Sequence, residues 1–284
     1  MTREFILKLS CPDQLGIVAT VSVFLSENNC NIKDSAQFGD PETGLFFMRV
    51  HFIAEEKAPA QDKLEALFAA IAGRFSMTWT MVDVQAKCRM AILESQHGHW
   101  LNDWLYRYRT GSMDAKITSI ISNHQDFRDI VEWHGIPFHY LPVSSGNRQE
   151  QEQAVLDILE KDAVDLVVLA RYMQILSENM CRVLSGRCIN IHHSFLPSFK
   201  RAQPYRQAHP RGVKLLGATA HYVTPNLDEG PIIEQGVERV DHAHSPEELA
   251  AIGRDVECQV LARAVKYHTE QRVLLNGNKT VVLR

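Results

Sequence analysis

The sequence predicts an α/β protein in two parts, and three observations carry that expectation. Residues 3–85 read in order as strand, helix, strand, strand, helix, strand. From residue 88 onward, short apolar strands alternate with segments whose apolar residues recur at helical spacing. Val164-Asp-Leu-Val-Val-Leu169 is almost wholly apolar, as expected of a central strand covered on both faces of a mainly parallel sheet. At 284 residues, 45% hydrophobic and 23% charged, the chain is long enough for two such domains.

In the first part, Arg3-Glu-Phe-Ile-Leu-Lys-Leu-Ser10 alternates partly and reads as a strand, which Pro12-Asp-Gln-Leu-Gly16 breaks. Ile17, Val21 and Phe24, flanked by Val18 and Leu25, then share one broad helical face, and Asn28-Asn29 ends the helix. Strands near 30–38 and 44–54 surround the turn formers Gly39-Asp-Pro-Glu-Thr-Gly44. Leu64, Leu67, Phe68 and Ile71 define a second helix over 60–73, and a strand fits 75–85. This order is the ferredoxin-like β-α-β-β-α-β module.

In the second part, strands fit 88–94, 116–121, 137–142, 164–169, 187–192 and 214–223. Helices fit 99–109, 125–134, 150–161, 177–184 and 246–270. Phe127, Ile130 and Val131 share one face of the second of these helices, and Val155, Ile158 and Leu159 one face of the third. Asn276-Gly277-Asn278 between apolar runs predicts a closing hairpin. The expected domains are 1–86 and 87–284. In a sheet of this kind ligands bind beyond the carboxyl ends of the strands.

Composition narrows the function classes. Thirty basic and 34 acidic residues give a net charge of −4, which disfavours a phosphate-backbone partner. No apolar run reaches the roughly 20 residues of a membrane span, and none at the start resembles a signal peptide. A cytoplasmic protein with no membrane or nucleic-acid partner is expected. The six cysteines are scattered without a C-x-x-C pair and read as buried thiols. No H-E-x-x-H, G-x-G-x-x-G, Walker A or G-x-S-x-G motif occurs, so neither a metal nor a nucleotide cofactor is expected.

Two stretches carry polar chemistry. In Arg187-Cys-Ile-Asn-Ile-His-His-Ser-Phe-Leu-Pro197, Asn190 and His192 are two apart on a strand and project from one face near its end. His192 and His193, being adjacent, should face opposite ways. Gly217-Ala-Thr-Ala-His-Tyr-Val-Thr-Pro-Asn-Leu-Asp-Glu-Gly-Pro231 reads as a strand carrying His221, then a loop and turn carrying Asp228. Taken alone, a hydrogen-bonded core Asn and His, a satisfied strand histidine and a solvated turn fit these patterns too.

Together with Leu169-Ala-Arg-Tyr-Met-Gln-Ile-Leu-Ser177, these stretches resemble, in order and spacing, the folate-dependent formyltransferase family over roughly residues 88–284. The resemblance implies a Rossmann-like domain and a catalytic set of Asn190, His192 and Asp228, supported by His221. It implies a folate pocket lined by Met173, Gln174, Ile175 and Leu176, closed by a loop carrying Val223 and Leu227. His193 stands where the family often has proline, which implies a variant with another polar group near water. Lys200, Arg201 and Arg206 could meet the folate glutamate tail; exposed bases are usually just solvated.

Cys11-Pro-Asp-Gln-Leu-Gly-Ile17, with Asn28-Asn-Cys-Asn-Ile32 after the helix, resembles the ACT domain, a small regulatory module. That resemblance implies a regulatory turn involving Asp13, Gly16 and Asn31, an amino-acid effector such as glycine or methionine, and a homo-oligomer (dimer or tetramer).

The family's glycinamide ribonucleotide transferases carry a Gly/Ser-rich phosphate loop after their first strand. Here Ser95-Gln-His-Gly-His-Trp-Leu-Asn-Asp103 offers one glycine among His97, His99 and Trp100. Water therefore replaces the phosphorylated amine as expected acceptor. The implied reaction is hydrolysis of 10-formyltetrahydrofolate to formate and tetrahydrofolate, balancing the one-carbon pool and supplying formate for purine biosynthesis. Formyl transfer to an amine and an inactive folate or amino-acid sensor are the alternatives.

Overall fold

A computed structural model describes residues 3–96, 98–144, 146–196 and 209–284; the side chain of His99 is also outside the description. The expectations for His97, Lys200, Arg201 and Arg206, and for the side chain of His99, thus lie outside the described residues. The chain forms two compact units, Met1–Lys87 with Glu270–Arg284, and Cys88–Thr269.

In the first unit, β1 (Arg3–Pro12), α1 (Ile17–Glu27), β2 (Cys30–Asp40), β3 (Leu45–Ala54), α2 (Gln61–Phe75) and β4 (Thr78–Asp83) follow the expected order. The antiparallel sheet runs β2-β3-β1-β4. Strand alternation sends Phe5, Leu7, Leu9 and Cys11 to one face. There they meet Ile17, Val21, Phe24 and Leu25 of α1 and Leu64, Phe68, Ala72 and Phe75 of α2. Val18 and Leu67, placed by period on the apolar faces, are exposed instead. Each lies at the edge of its stripe, beyond reach of the sheet. Gly16 begins α1 at φ +91°, a conformation glycine adopts without Cβ strain.

The second unit contains β5 (Cys88–Glu94), α3 (His99–Arg109), β6 (Ala115–Ser122), α4 (Arg128–Trp133), β7 (Phe138–Tyr140) and α5 (Arg148–Lys161). It continues with β8 (Leu166–Ala170), α6 (Glu178–Val183), β9 (Cys188–His192), β10 (Leu215–Tyr222), β11 (Ile232–Arg239) and α7 (Pro246–Thr269). The sheet order is β11-β10-β9-β8-β5-β6-β7. Strands β5 to β9 pair in parallel, while β10 runs antiparallel to both β9 and β11. Every residue of β8 is buried, as its all-apolar sequence requires. Strand β11 is absent from the sequence expectation. Its apolar residues stop after Ile233 apart from a half-exposed Val237, because it is an edge strand with one face in solvent. Phe127 precedes α4 rather than lying within it, and Val131 is that helix's buried residue.

The closing hairpin forms as expected, from β12 (Val273–Asn276) and β13 (Lys279–Val282). Its placement corrects the expected boundary, since residues 270–284 belong to the first unit and not to a second domain of 87–284. Leu274 and Leu283 bury against Phe47 of β3. Asn276 donates to Asp40 at 2.6 Å, Arg49 to the Glu270 carbonyl at 3.0 Å, and Lys8 to the Val273 carbonyl at 3.4 Å. Burial lowers the Lys8 ammonium to about 8.

Among the described residues no helix is long and apolar enough to cross a membrane, and no group of three or more His, Cys, Asp or Glu is arranged to hold a metal ion. Cys11, Cys30, Cys181 and Cys188 are buried free thiols; Cys88 and Cys258 are partly exposed.

Candidate active site

Two adjacent strands and the loop after the second place the polar residues. Asn190 and His192 close β9, and antiparallel pairing sets His221 of β10 opposite Asn190. Asp228 comes from the loop after β10, in a left-handed conformation at φ +56° that aspartate tolerates better than most residues. The loop is closed by the Tyr222 amide donating to Pro231 at 2.9 Å and the Val223 amide to Cys188 at 2.8 Å. Gly230 passes directly over the Tyr222 carbonyl, and a Cβ there would overlap it. Its glycine is a steric requirement of the loop.

The carboxylate sits between two imidazoles. His192 Nδ1 is 3.3 Å from Asp228 Oδ2, and His221 Nε2 is 3.8 Å from Oδ1. The hydrogen bond from His192, with the His221 ring close by, outweighs burial and holds the Asp228 carboxyl well below the usual range, so it is an anion at any working pH. His221 Nδ1 donates to the Tyr222 carbonyl at 2.9 Å, because a carbonyl only accepts. In the neutral ring Nε2 is then an acceptor, and Asn190 Nδ2 donates to it at 3.3 Å. One N–H of the Asn190 amide uses that bond and the second remains for a ligand. His192 Nε2 is buried without a protein partner.

These four residues line one wall of a cleft of about 400 Å³. Met173, Gln174, Ile175 and Leu176 line it too, with Val223 and Leu227 from the loop after β10. The structure thus brings Asn190, His192, His193, His221 and Asp228 together with all six expected pocket residues. Segment 172–177 is pinned by α5. Gln151 donates to the Tyr172 hydroxyl at 2.7 Å, Arg148 to the Ile175 carbonyl, and the Ser177 amide donates to Glu152 at 2.8 Å. Met173 and Ile175 remain more than half exposed, as suits an apolar wall awaiting a flat ligand.

The expectation that His192 and His193 face opposite ways is overturned. Their rings stack at 5.1 Å between centroids and 25° between planes, and both line the cleft. Strand β9 ends at His192, so strand alternation does not govern the next residue. Burial, then the Arg171 charge, lowers His193 to about 4.

Sequence reading missed Arg171 as a cleft residue. It follows β8 at φ +60°, lines the cleft, and pairs with Glu257 of α7 at 3.8 Å. A cation directly after an all-apolar strand, on the side where ligands bind, was the available signal.

In the first unit, Asp13 and Gly16 occupy the exposed turn between β1 and α1, and Asp13 lies against Gly39. Asn31 does not join that turn. It opens β2, whereas Gly39 nearly ends it, roughly 25 Å away at strand rise. The intervening α1 carries the chain to the far end of the module.

A tethered carboxylate, an imidazole with a free nitrogen and an amide donor beside an apolar cleft make an acyl-chemistry site. Residues 88–265 match the family model described as formyl transferase, and residues 5–69 match that of the ACT domain. A formyltetrahydrofolate deformylase of Bacillus subtilis is 49% identical over 97% of this chain and 92% of its own length. The crystal structure of formyltetrahydrofolate deformylase from Burkholderia mallei superposes with a TM-score of 0.95 at 48% identity, covering 99% of this chain and 100% of that one. A glycinamide ribonucleotide transformylase from Symbiobacterium toebii superposes at 0.66 and 29% identity, over 70% of this chain and 95% of that one. The chain belongs to the formyl transferase family, among the relatives named formyltetrahydrofolate deformylase.

Proposed function

We propose that the protein hydrolyses 10-formyltetrahydrofolate to formate and tetrahydrofolate. The carrying observation is the couple of His192 and Asp228 on the wall of the cleft, with the opposite ring nitrogen buried and without a protein partner. Asp228 keeps the proton on Nδ1, so Nε2 presents its lone pair. Nε2 takes a proton from water as the water oxygen bonds the formyl carbon. The carbonyl oxygen becomes an oxyanion, to which Asn190 donates its remaining N–H. Preorganised donation of this kind is worth roughly 3–4 kcal/mol in the transition state. As the carbon–nitrogen bond breaks, the His192 proton passes to the departing nitrogen. Formic acid and tetrahydrofolate result, and the acid ionises at neutral pH. His221, fixed by the Tyr222 carbonyl, positions Asn190. The pterin occupies the apolar wall of 173–176, closed by Val223 and Leu227.

Water as acceptor is supported by the head of α3. The Phe127 ring lies directly on Gly98, where a Cβ would overlap it. A phosphate cradle needs bare backbone N–H groups there. Reaction in H₂¹⁸O tests the step, because hydrolysis places one solvent oxygen in formate. Formate without label contradicts it.

The same reading makes the protein a cytoplasmic homo-oligomer with a small amino acid, glycine or methionine, as effector of the ACT unit. It needs no cofactor beyond the folate substrate, and the formate it releases would feed purine synthesis. Calorimetry with each amino acid, alongside rates, checks the effector; no binding and no kinetic response removes it.

A further inference from the structure

The cleft holds two adjacent histidines whose rings stack at 5.1 Å. Two imidazolium cations at that separation repel, so the site must decide which ring carries a proton. The surrounding charges are not symmetric. His192 has the Asp228 carboxylate 3.3 Å from Nδ1. His193 has the Arg171 guanidinium, from the turn after β8, as an electrostatic neighbour, with Glu257 of α7, His192 of β9 and Asp228 also acting on it. Arg171 is in turn held by Glu257, whose side chain is 2% exposed. Buried ion pairs seldom repay their desolvation in stability alone. One at the rim of a reaction cleft, on a non-glycine residue at φ +60°, calls for a functional account.

We propose that the Arg171/Glu257 pair is a positioning device that confines the catalytic proton to His192, the ring coupled to Asp228, and keeps it off the stacked His193. This rests on the hydrolytic reading, in which one histidine must first accept and then return a single proton. Glu257 pairs with the guanidinium at 3.8 Å, which fixes the cation on the cleft that His193 also lines. His193 remains a neutral ring that does not compete for the carboxylate. Burial and the Arg171 charge act in the same direction on His193, and Glu257 and Asp228 only partly oppose them.

The test is an NMR titration of the His193 ring in the full-length protein, read beside the pH dependence of kcat/KM. In the unsubstituted protein His193 stays neutral from pH 5.5 to 8. In Arg171→Met its midpoint rises by about one unit, since one nearby like charge is gone while burial remains. The acid limb of kcat/KM moves upward with it. Arg171→Lys retains the charge and leaves both close to their original positions. Titration of His193 near 6.5 in the unsubstituted protein overturns the proposal. So does an unmoved midpoint in folded Arg171→Met. The ring titration does not depend on turnover, so its failure leaves the hydrolytic reading standing. Failure to release formate, conversely, sinks that reading without altering the titration.

Discussion

His192 Nδ1 lies 3.3 Å from Asp228 Oδ2, and this contact determines which nitrogen of the ring can act. Asp228→Asn keeps the shape of the side chain but removes the charge that fixes the tautomer. It is expected to lower kcat by roughly 10²–10⁴ and also to lower the melting temperature at neutral pH, because the folded state favours the charged carboxylate. Steady-state kinetics beside a thermal melt measure both. Near-normal turnover would remove Asp228 from the catalytic set.

Asn190 is expected to behave differently. Its spare amide N–H acts on the oxyanion and not on the bound substrate. Asn190→Ala should therefore lower kcat by roughly 10²–10³ with KM changed little. A rise in KM at constant kcat would make it a binding residue instead.

Gly230 tests the loop that delivers Asp228. A Cβ there would overlap the Tyr222 carbonyl, and backbone cannot move aside as a flexible side chain can. Gly230→Ala is expected to cost roughly 2–4 kcal/mol in stability and most of the activity. Chemical denaturation and turnover measure the two effects. A fully active, equally stable variant would show that the loop closes in another way.

Glu94 supplies a pH prediction for stability. It ends β5 fully buried, and burial raises its carboxyl to about 8, partly offset by the Ser122 hydroxyl. Between about 4.5 and 8 the folded state holds a proton that the unfolded state has released. Stability from this group is thus present at low pH and is lost as pH rises through that window. Glu94→Gln should raise the melting temperature more at pH 8 than at pH 5. An equal shift at both values would mean that Glu94 is ionised in the folded protein.

The unit boundary predicts which fragment folds. Residues 88–269 should be soluble alone, whereas 88–284 carries Leu274 and Leu283 without Phe47 to cover them. Gel filtration of the two fragments compares them. Better behaviour of the longer one would contradict the boundary.

The site was legible where chemistry and period coincide. Asn190 and His192 stand two apart at a strand end, and Asp228 sits in a loop that only Gly230 can close. What escaped the sequence depends on long-range placement. Helical spacing with Gly253, Val260, Leu261 and Ala264 marks Glu257 as the acid on the buried face of α7, but only the fold sets it against Arg171. The stacking of His193 depends on where β9 stops, and one residue of strand length reverses that reading. The closing hairpin was recognised from its turn, but its host sheet belongs to residues far away in the chain.

Formate release from 10-formyltetrahydrofolate, with no amine acceptor present, tests the central claim most directly. The account predicts formate and tetrahydrofolate in equal amounts over many turnovers, slowed together by the same factor in Asp228→Asn. Catalytic amounts of protein that release no formate, yet transfer the formyl group once an amine is supplied, would contradict it.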